Sequence, residues 1–252
     1  MREREAFANR ILSCEEDLMV RVVMAAASAF LLSGCFVADF GSSDRYQTDF
    51  HYTWDLQPTA RVEAESFDGA IEVEGWDENR VEITGVKYGS TESLRDAVKI
   101  DVRHSPDSVQ IRAVKPSIHA GGAGARFTIH VPRQAIVDRV TTSNGSIRVH
   151  DVARAAHLKS SNGSIKVENV NGDLDAHTSN SSIDADGVRG SVALRTSNGR
   201  IHAENIDGQC EAQTTNSSIA VRMDSAVTSP LKLTTSNGSI DLTLTKPPKS
   251  DV

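Results

Sequence analysis

One interval dominates this sequence. SNGSI occurs at Ser143–Ile147 and Ser161–Ile165, followed by SNSSI (Ser179–Ile183), SNGRI (Ser197–Ile201), TNSSI (Thr215–Ile219) and SNGSI (Ser236–Ile240). The asparagines stand at 144, 162, 180, 198, 216 and 237, so four intervals are 18 residues and the last is 21. A fixed short period marks a stacked architecture, in which each unit buries its apolar side only against its neighbours.

The apolar positions describe one coil. Three residues after each asparagine stand Ile147, Ile165, Ile183, Ile201, Ile219 and Ile240, and five after stand Val149, Val167, Ala185, Ala203, Val221 and Leu242. Six before come Leu174, Val192, Cys210 and Leu231, and four before come Val140, Leu158, Ala176, Leu194, Ala212 and Leu233. Both groups alternate with polar residues, the period of a strand with one buried face. Asn162-Gly163-Ser164-Ile165 is echoed nine residues later by Asn171-Gly172-Asp173-Leu174. A half-period of nine gives two strands per coil, whereas a three-sided left-handed helix would place apolar residues six apart. The expected fold is all-β: a flattened parallel β-solenoid with about 18 residues and two short strands per coil, turning at Asn-Gly corners where positive φ is tolerated. Five or six coils at sheet spacing make a stack ~25 Å tall. Aromatic residues are only 5% of the chain, so small and β-branched side chains must build the core.

Stacked at one corner, Asn144, Asn162, Asn180, Asn198, Asn216 and Asn237 are expected to form a structural amide ladder, in preference to a ligand site. Cys210 shares a slot with Leu174 and Val192 and reads as a small core residue. With cysteines only at 14, 35 and 210, a disulfide framework is excluded.

The amino-terminal half is less regular. Strand-like runs occur at 60–64, 70–74, 80–86, 98–103, 108–114 and 126–131, with a short helix expected over Thr91–Val98. Phe67-Asp68-Gly69-Ala70-Ile71-Glu72-Val73 is a degenerate copy of the later motif, so residues 57–132 are expected to cap the repeat stack of residues 133–246. Residues 36–56 show no periodicity and are expected to be a flexible tether. Lys246-Pro247-Pro248-Lys249 closes the far end ahead of a 247–252 tail, since proline cannot donate to a ladder.

Ahead of the tether, Val22–Leu32 is apolar but for Ser28 and follows Arg21. The run is too short to span a bilayer, yet it fits a signal-peptide hydrophobic region. Leu32-Ser33-Gly34-Cys35 after it resembles the lipobox of bacterial lipoproteins, which implies a signal peptide over residues 1–35 and lipidation of Cys35. Glu15, Glu16 and Asp17 place negative charge where positive charge belongs, which points to Met19 as the translation start. Phe36, not aspartate, follows the cysteine, and the resemblance then implies sorting to the outer membrane.

From Asp68-Gly69-Ala70-Ile71 through Gly75-Trp76-Asp77 and on to the SNGSI repeats, residues 57–245 resemble the bacterial putative-adhesin family of β-strand-repeat envelope proteins. That resemblance implies a role in attachment or at the envelope surface. Relatives that accompany envelope-stress regulators imply a sensing or accessory role as the alternative.

Chemistry-bearing motifs are sparse. A net charge of -7 argues against a nucleic-acid partner. No phosphate loop, nucleophile elbow or zinc spacing occurs, and no cofactor is expected. His157 and His177 are expected diagonally on one outer face and His202 on the other, which cannot make one site. One face carries a mildly basic stripe of Arg139, His157, Lys159, His177, Arg195 and Lys232. The other carries an acidic ladder of Glu168, Asp184, Asp186 and Glu204, which stays hydrated or, as the lesser alternative, recruits a divalent cation. Ser146, Ser164, Ser182 and Ser218 line that face with hydroxyls suited to a glycan or simply to water. The expectation is a non-enzymatic, lipid-anchored envelope protein presenting a rigid surface to a glycan or an envelope protein. A carbohydrate-active enzyme on a solenoid is the least favoured reading.

Overall fold

Alternation on either side of each asparagine does produce two strands per coil. The computed structural model describes residues 46–117, 122–223 and 230–245. The expected signal peptide, Cys35 and the Lys246–Lys249 closure lie outside the described residues.

In chain order the elements are β1 (Tyr46–Asp55), β2 (Arg61–Ser66), β3 (Ile71–Trp76), β4 (Arg80–Gly89), α1 (Glu92–Ala97), β5 (Lys99–Ser105), β6 (Ser108–Val114) and β7 (Ala123–Pro132). The repeats supply β8 (Ile136–Thr142), β9 (Ile147–Val152), β10 (Ala156–Ser160), β11 (Ile165–Val170), β12 (Leu174–His177) and β13 (Ile183–Val188). They continue with β14 (Val192–Arg195), β15 (Ile201–Glu204), β16 (Cys210–Gln213), β17 (Ile219–Met223), β18 (Leu231–Thr234) and β19 (Ile240–Leu244). One sheet runs β1-β4-β7-β3-β9-β11-β13-β15-β17-β19, and the other β18-β16-β14-β12-β10-β8-β2-β6-β5. The fold is a parallel β-solenoid with an amino-terminal β-rich cap.

Register follows the isoleucines. Ile147, Ile165, Ile183, Ile201, Ile219 and Ile240 pair one above another. On the facing sheet Leu174, Val192, Cys210 and Leu231 do the same. From Ile147 through Ile219 the isoleucines are fully buried. Burying each contributes about 1.5–3 kcal/mol, and a one-residue slip would turn the whole series to water.

A further core series breaks the alternation. Val152, Val170, Val188 and Ile206 are buried eight residues after the asparagines, where period 2 would place polar residues. The residue just before each of them, Asp151, Asn169, Gly187 and Asn205, has φ of 58°, 56°, 68° and 52°. This left-handed kink reverses the in-out parity, as a β-bulge does, and asparagine, aspartate and glycine tolerate it best.

The SNGSI corner therefore differs from expectation. Positive φ belongs to the other side of the coil, and the corner glycines serve a close approach instead. A Cβ at Gly145 would run into the Gly69 carbonyl oxygen, and one at Gly163 into that of Gly145.

The cap grows out of the same sheets. β2 lies parallel to β8, and β3 parallel to β9, with Ile71 in register with Ile147. Beyond them β6 and β7 are parallel neighbours, and antiparallel β5, β4 and β1 close the end. Between β4 and β5 the short α1 is capped by Thr91, whose hydroxyl accepts from the Leu94 N–H.

The expected tether is corrected over its second half. Residues 46–55 form β1, because Phe50, Tyr52 and Trp54 alternate with polar residues and pack inward. Phe50 meets Phe127 edge-on at 5.8 Å, and Trp54 stacks on His104 of the facing sheet at 4.4 Å.

Candidate functional surfaces

At the SNGSI corner the amides form a continuous ladder. Asn162, Asn180, Asn198 and Asn216 each donate through Nδ2 to Oδ1 of the asparagine one coil below, at 2.8, 2.7, 2.8 and 2.7 Å. Asn237 continues the series onto Asn216 at 2.9 Å, and at the cap Asn144 reaches Asp68 Oδ2 at 3.5 Å. Every amide in this series is thus engaged along the axis, while the corner itself stays exposed.

Beneath the ladder runs a second one that the sequence reading did not single out. Thr142, Ser160, Thr178, Thr196 and Thr214, each two residues before an asparagine, are buried. Their hydroxyls donate to the carbonyl of Gly69, Gly145, Gly163, Ser181 and Gly199 in the coil below, at 2.9–3.1 Å. The signal was present, since that slot holds only threonine or serine in all six repeats.

The outer face of the first sheet carries acids and imidazoles in one row across neighbouring strands. His130, Glu74, His150, Glu168, Asp186 and Glu204 follow one another from β7 to β15. His130 Nε2 lies 3.2 Å from Glu74, and His150 Nε2 3.9 Å from the same carboxylate. At the cap end Trp76 stacks on His130 at 5.1 Å, with the Arg80 guanidinium 5.0 Å from the indole centroid.

The acidic ladder does not converge. Glu168 pairs with Lys166 at 2.8 Å, Asp184 accepts from Ser182 at 3.1 Å, Asp186 accepts from Asn205 at 2.7 Å, and Glu204 pairs with His202 at 3.3 Å. Each carboxylate has its own hydrogen-bonding or ionic partner. Among the described residues no group of three or more His, Cys, Asp or Glu is arranged to hold a metal ion.

On the second sheet Lys159, His177 and Arg195 are direct cross-strand neighbours. His157 stands beside Asp175, so His157 and His177 are diagonal there while His202 lies on the first sheet. Arg195 bridges Asp175 and Glu211 at 3.4 and 3.2 Å, and Lys232 adds a 2.9 Å contact to Glu211. The hydrogen bond and charge of Lys232, reinforced by Arg195, hold the Glu211 carboxyl below its ordinary range. Nearer the cap, Arg139 pairs with Glu63 at 2.6 Å. Beside it a shallow cavity of about 350 Å³ is lined by Glu65, Asp101, Arg103, Gln110, Arg112 and Arg139. All but Arg139 come from cap strands outside the repeat, so no spacing pointed to their convergence.

Among the described residues the thiol is that of Cys210, and its surroundings make it inert. Cys210 is 1% exposed, and burial pushes its pKa up to about 11, so it stays protonated and unreactive at neutral pH. Chemically, the two faces offer many separate hydrogen-bonding and ionic groups spread over flat sheets.

A protein-family profile described as Toastrack DUF4097 matches residues 59–252. Among solved structures, the chain is similar to a putative cell adhesion protein from Clostridium sporogenes ATCC 15579, at 7% identity and a TM-score of 0.43, over 78% of this chain and 100% of that one. It is also similar to a putative adhesin from Bacteroides fragilis NCTC 9343, at 12% identity and a TM-score of 0.39, over 77% and 97% of the two chains. No curated protein matches it.

Proposed function

The chain belongs to the Toastrack DUF4097 family, and on that premise we propose that it is a non-enzymatic envelope lipoprotein whose solenoid presents two rigid polar faces for adhesion or envelope assembly. The observation that carries this reading is the spread of charged groups along both faces, with His130 and His150 held by one carboxylate, Glu74, and other charged residues paired strand by strand. His130, His150 and His202 are each engaged by carboxylates, and the charged residues recur along strands one coil apart. Acid–base or nucleophilic catalysis needs two or three such groups aimed at one reacting atom. A flat, preorganised grid instead suits an extended partner held by many weak polar contacts.

Cys35 supplies the address. Acyl chains contribute about 0.8 kcal/mol per buried methylene, so a multiply acylated cysteine holds the folded part at a membrane, here the outer membrane. Among the described residues no helix is long and apolar enough to cross one. The test is mass spectrometry of the membrane-extracted protein together with protease treatment of intact cells. An amino-terminal acylated Cys35 and shaving of the solenoid by external protease support the reading. An unmodified cysteine removes the anchor, and full protection removes surface attachment and leaves assembly within the envelope.

A further inference from the structure

The two ends of the stack differ. At the cap, the rings of Tyr52, Trp54 and His104 close the space between the sheets, with Trp54 and His104 stacked across it. At the carboxyl-terminal end the core is open: Ile240 is 45% and Leu242 40% exposed, whereas Ile219 and Val221, in the same slots one coil earlier, are 0% and 2%.

Both strands of that last coil are sheet edges, as β1 and β5 are at the cap end, where the rings fill the space between them. Thr245 N–H bonds back to Met223, and Thr214 N–H bonds to Thr234 O. By the alternation of a parallel ladder, the backbone groups of Leu242 and Leu244 in β19, and of Leu231 and Leu233 in β18, face outward, and among the described residues no strand meets them. Whatever completes this end must supply two strands at sheet-to-sheet distance with apolar side chains between them. Residues 246–252 read Lys-Pro-Pro-Lys-Ser-Asp-Val, with two prolines that lack an N–H and one aliphatic side chain outside them.

We propose that the carboxyl-terminal end of the solenoid docks onto the same end of a second copy of the chain, giving a closed two-fold dimer with continuous sheets and a continuous core. β18 and β19 run in opposite directions, so a two-fold axis along the strands sets β18 of one copy antiparallel beside β19 of the other, at both sheets. The inward leucines and isoleucines then face one another. Lys232 of one copy and Asp241 of the other share an outer face, so unlike charges meet twice. A two-fold contact uses the same surface on both copies, so it is tail to tail and closes at two copies instead of propagating into a fibre.

Sedimentation of the full chain in density-matched detergent tests this. The expected species has twice the mass of the single chain measured under denaturing conditions. Leu242→Glu, at an exposed position, is expected to yield monomer with a native circular dichroism spectrum and a melting temperature that no longer rises with protein concentration. Asp241→Lys sets like charges together and is expected to weaken the dimer about tenfold, and adding Lys232→Glu to restore it. His104→Glu at the closed end leaves the dimer intact. A single-chain mass for the unaltered protein at about 0.1 mM, a dimer that survives Leu242→Glu, failure of the charge swap, or a ladder of larger species overturns the proposal.

Discussion

Thr178 donates its hydroxyl to the Gly163 carbonyl of the coil below, at 2.9 Å, from a side chain fully out of contact with water. The equivalent hydroxyl of Ser160 bonds Gly145 at 3.1 Å, so the slot needs the oxygen and not the methyl group. Thr178→Ser is expected to be nearly neutral. Thr178→Val keeps the shape but leaves the Gly163 oxygen unpaired, at a cost of about 1–3 kcal/mol. Urea denaturation of the two variants checks the difference.

Asn180 both donates to Asn162 and accepts from Asn198, at 2.7 and 2.8 Å, on an exposed corner. Alanine there removes two bonds whose former partners can turn to water, so the expected loss is about 1 kcal/mol. Aspartate retains the acceptor and loses only the donor, as Asp68 does at the foot of the ladder. Asn180→Asp should therefore fall between the native chain and Asn180→Ala in thermal melting at neutral pH.

Glu211 gives the pH dependence a definite sign. Its carboxyl is held below its ordinary value of 4.5 by Lys232 and Arg195, so the folded state binds the proton less tightly than the unfolded one. The stabilisation is present above about pH 4.5 and is lost as pH falls through the lower folded value. Glu211→Gln should lower stability slightly at neutral pH and match the native chain in acid, so that the acid side of the curve is flatter, and the effect is small because solvent screens the pair. Melting temperatures from pH 7 to pH 3 measure it, and the contrast should shrink in high salt.

The parts of the fold that were legible are those in which period 2 and period 18 coincide. The isoleucine and leucine slots satisfy both, and the structure stacks them in register. Val152, Val170, Val188 and Ile206 satisfy only the longer period, because a left-handed residue before each reverses the alternation that marks a strand. β1 satisfies only the shorter one: Phe50, Tyr52 and Trp54 alternate, but nothing repeats them, and their stretch read as tether. The stacking of Trp76 on His130 and the cavity among Arg103, Arg112 and Arg139 depend on strand neighbours far apart in sequence, which spacing alone does not reveal.

The most direct test of the central claim is co-sedimentation of the full chain with isolated peptidoglycan and with outer-membrane vesicles. It is run beside a variant carrying Lys159→Glu and Arg195→Glu on one outer face and a second carrying Asp184→Lys and Asp186→Lys on the other. Retention on one of these materials, reduced by substitutions on one face while circular dichroism and melting stay native, is the expected result. Equal retention of both variants and the unaltered chain, or none on either material, would contradict a surface built for binding.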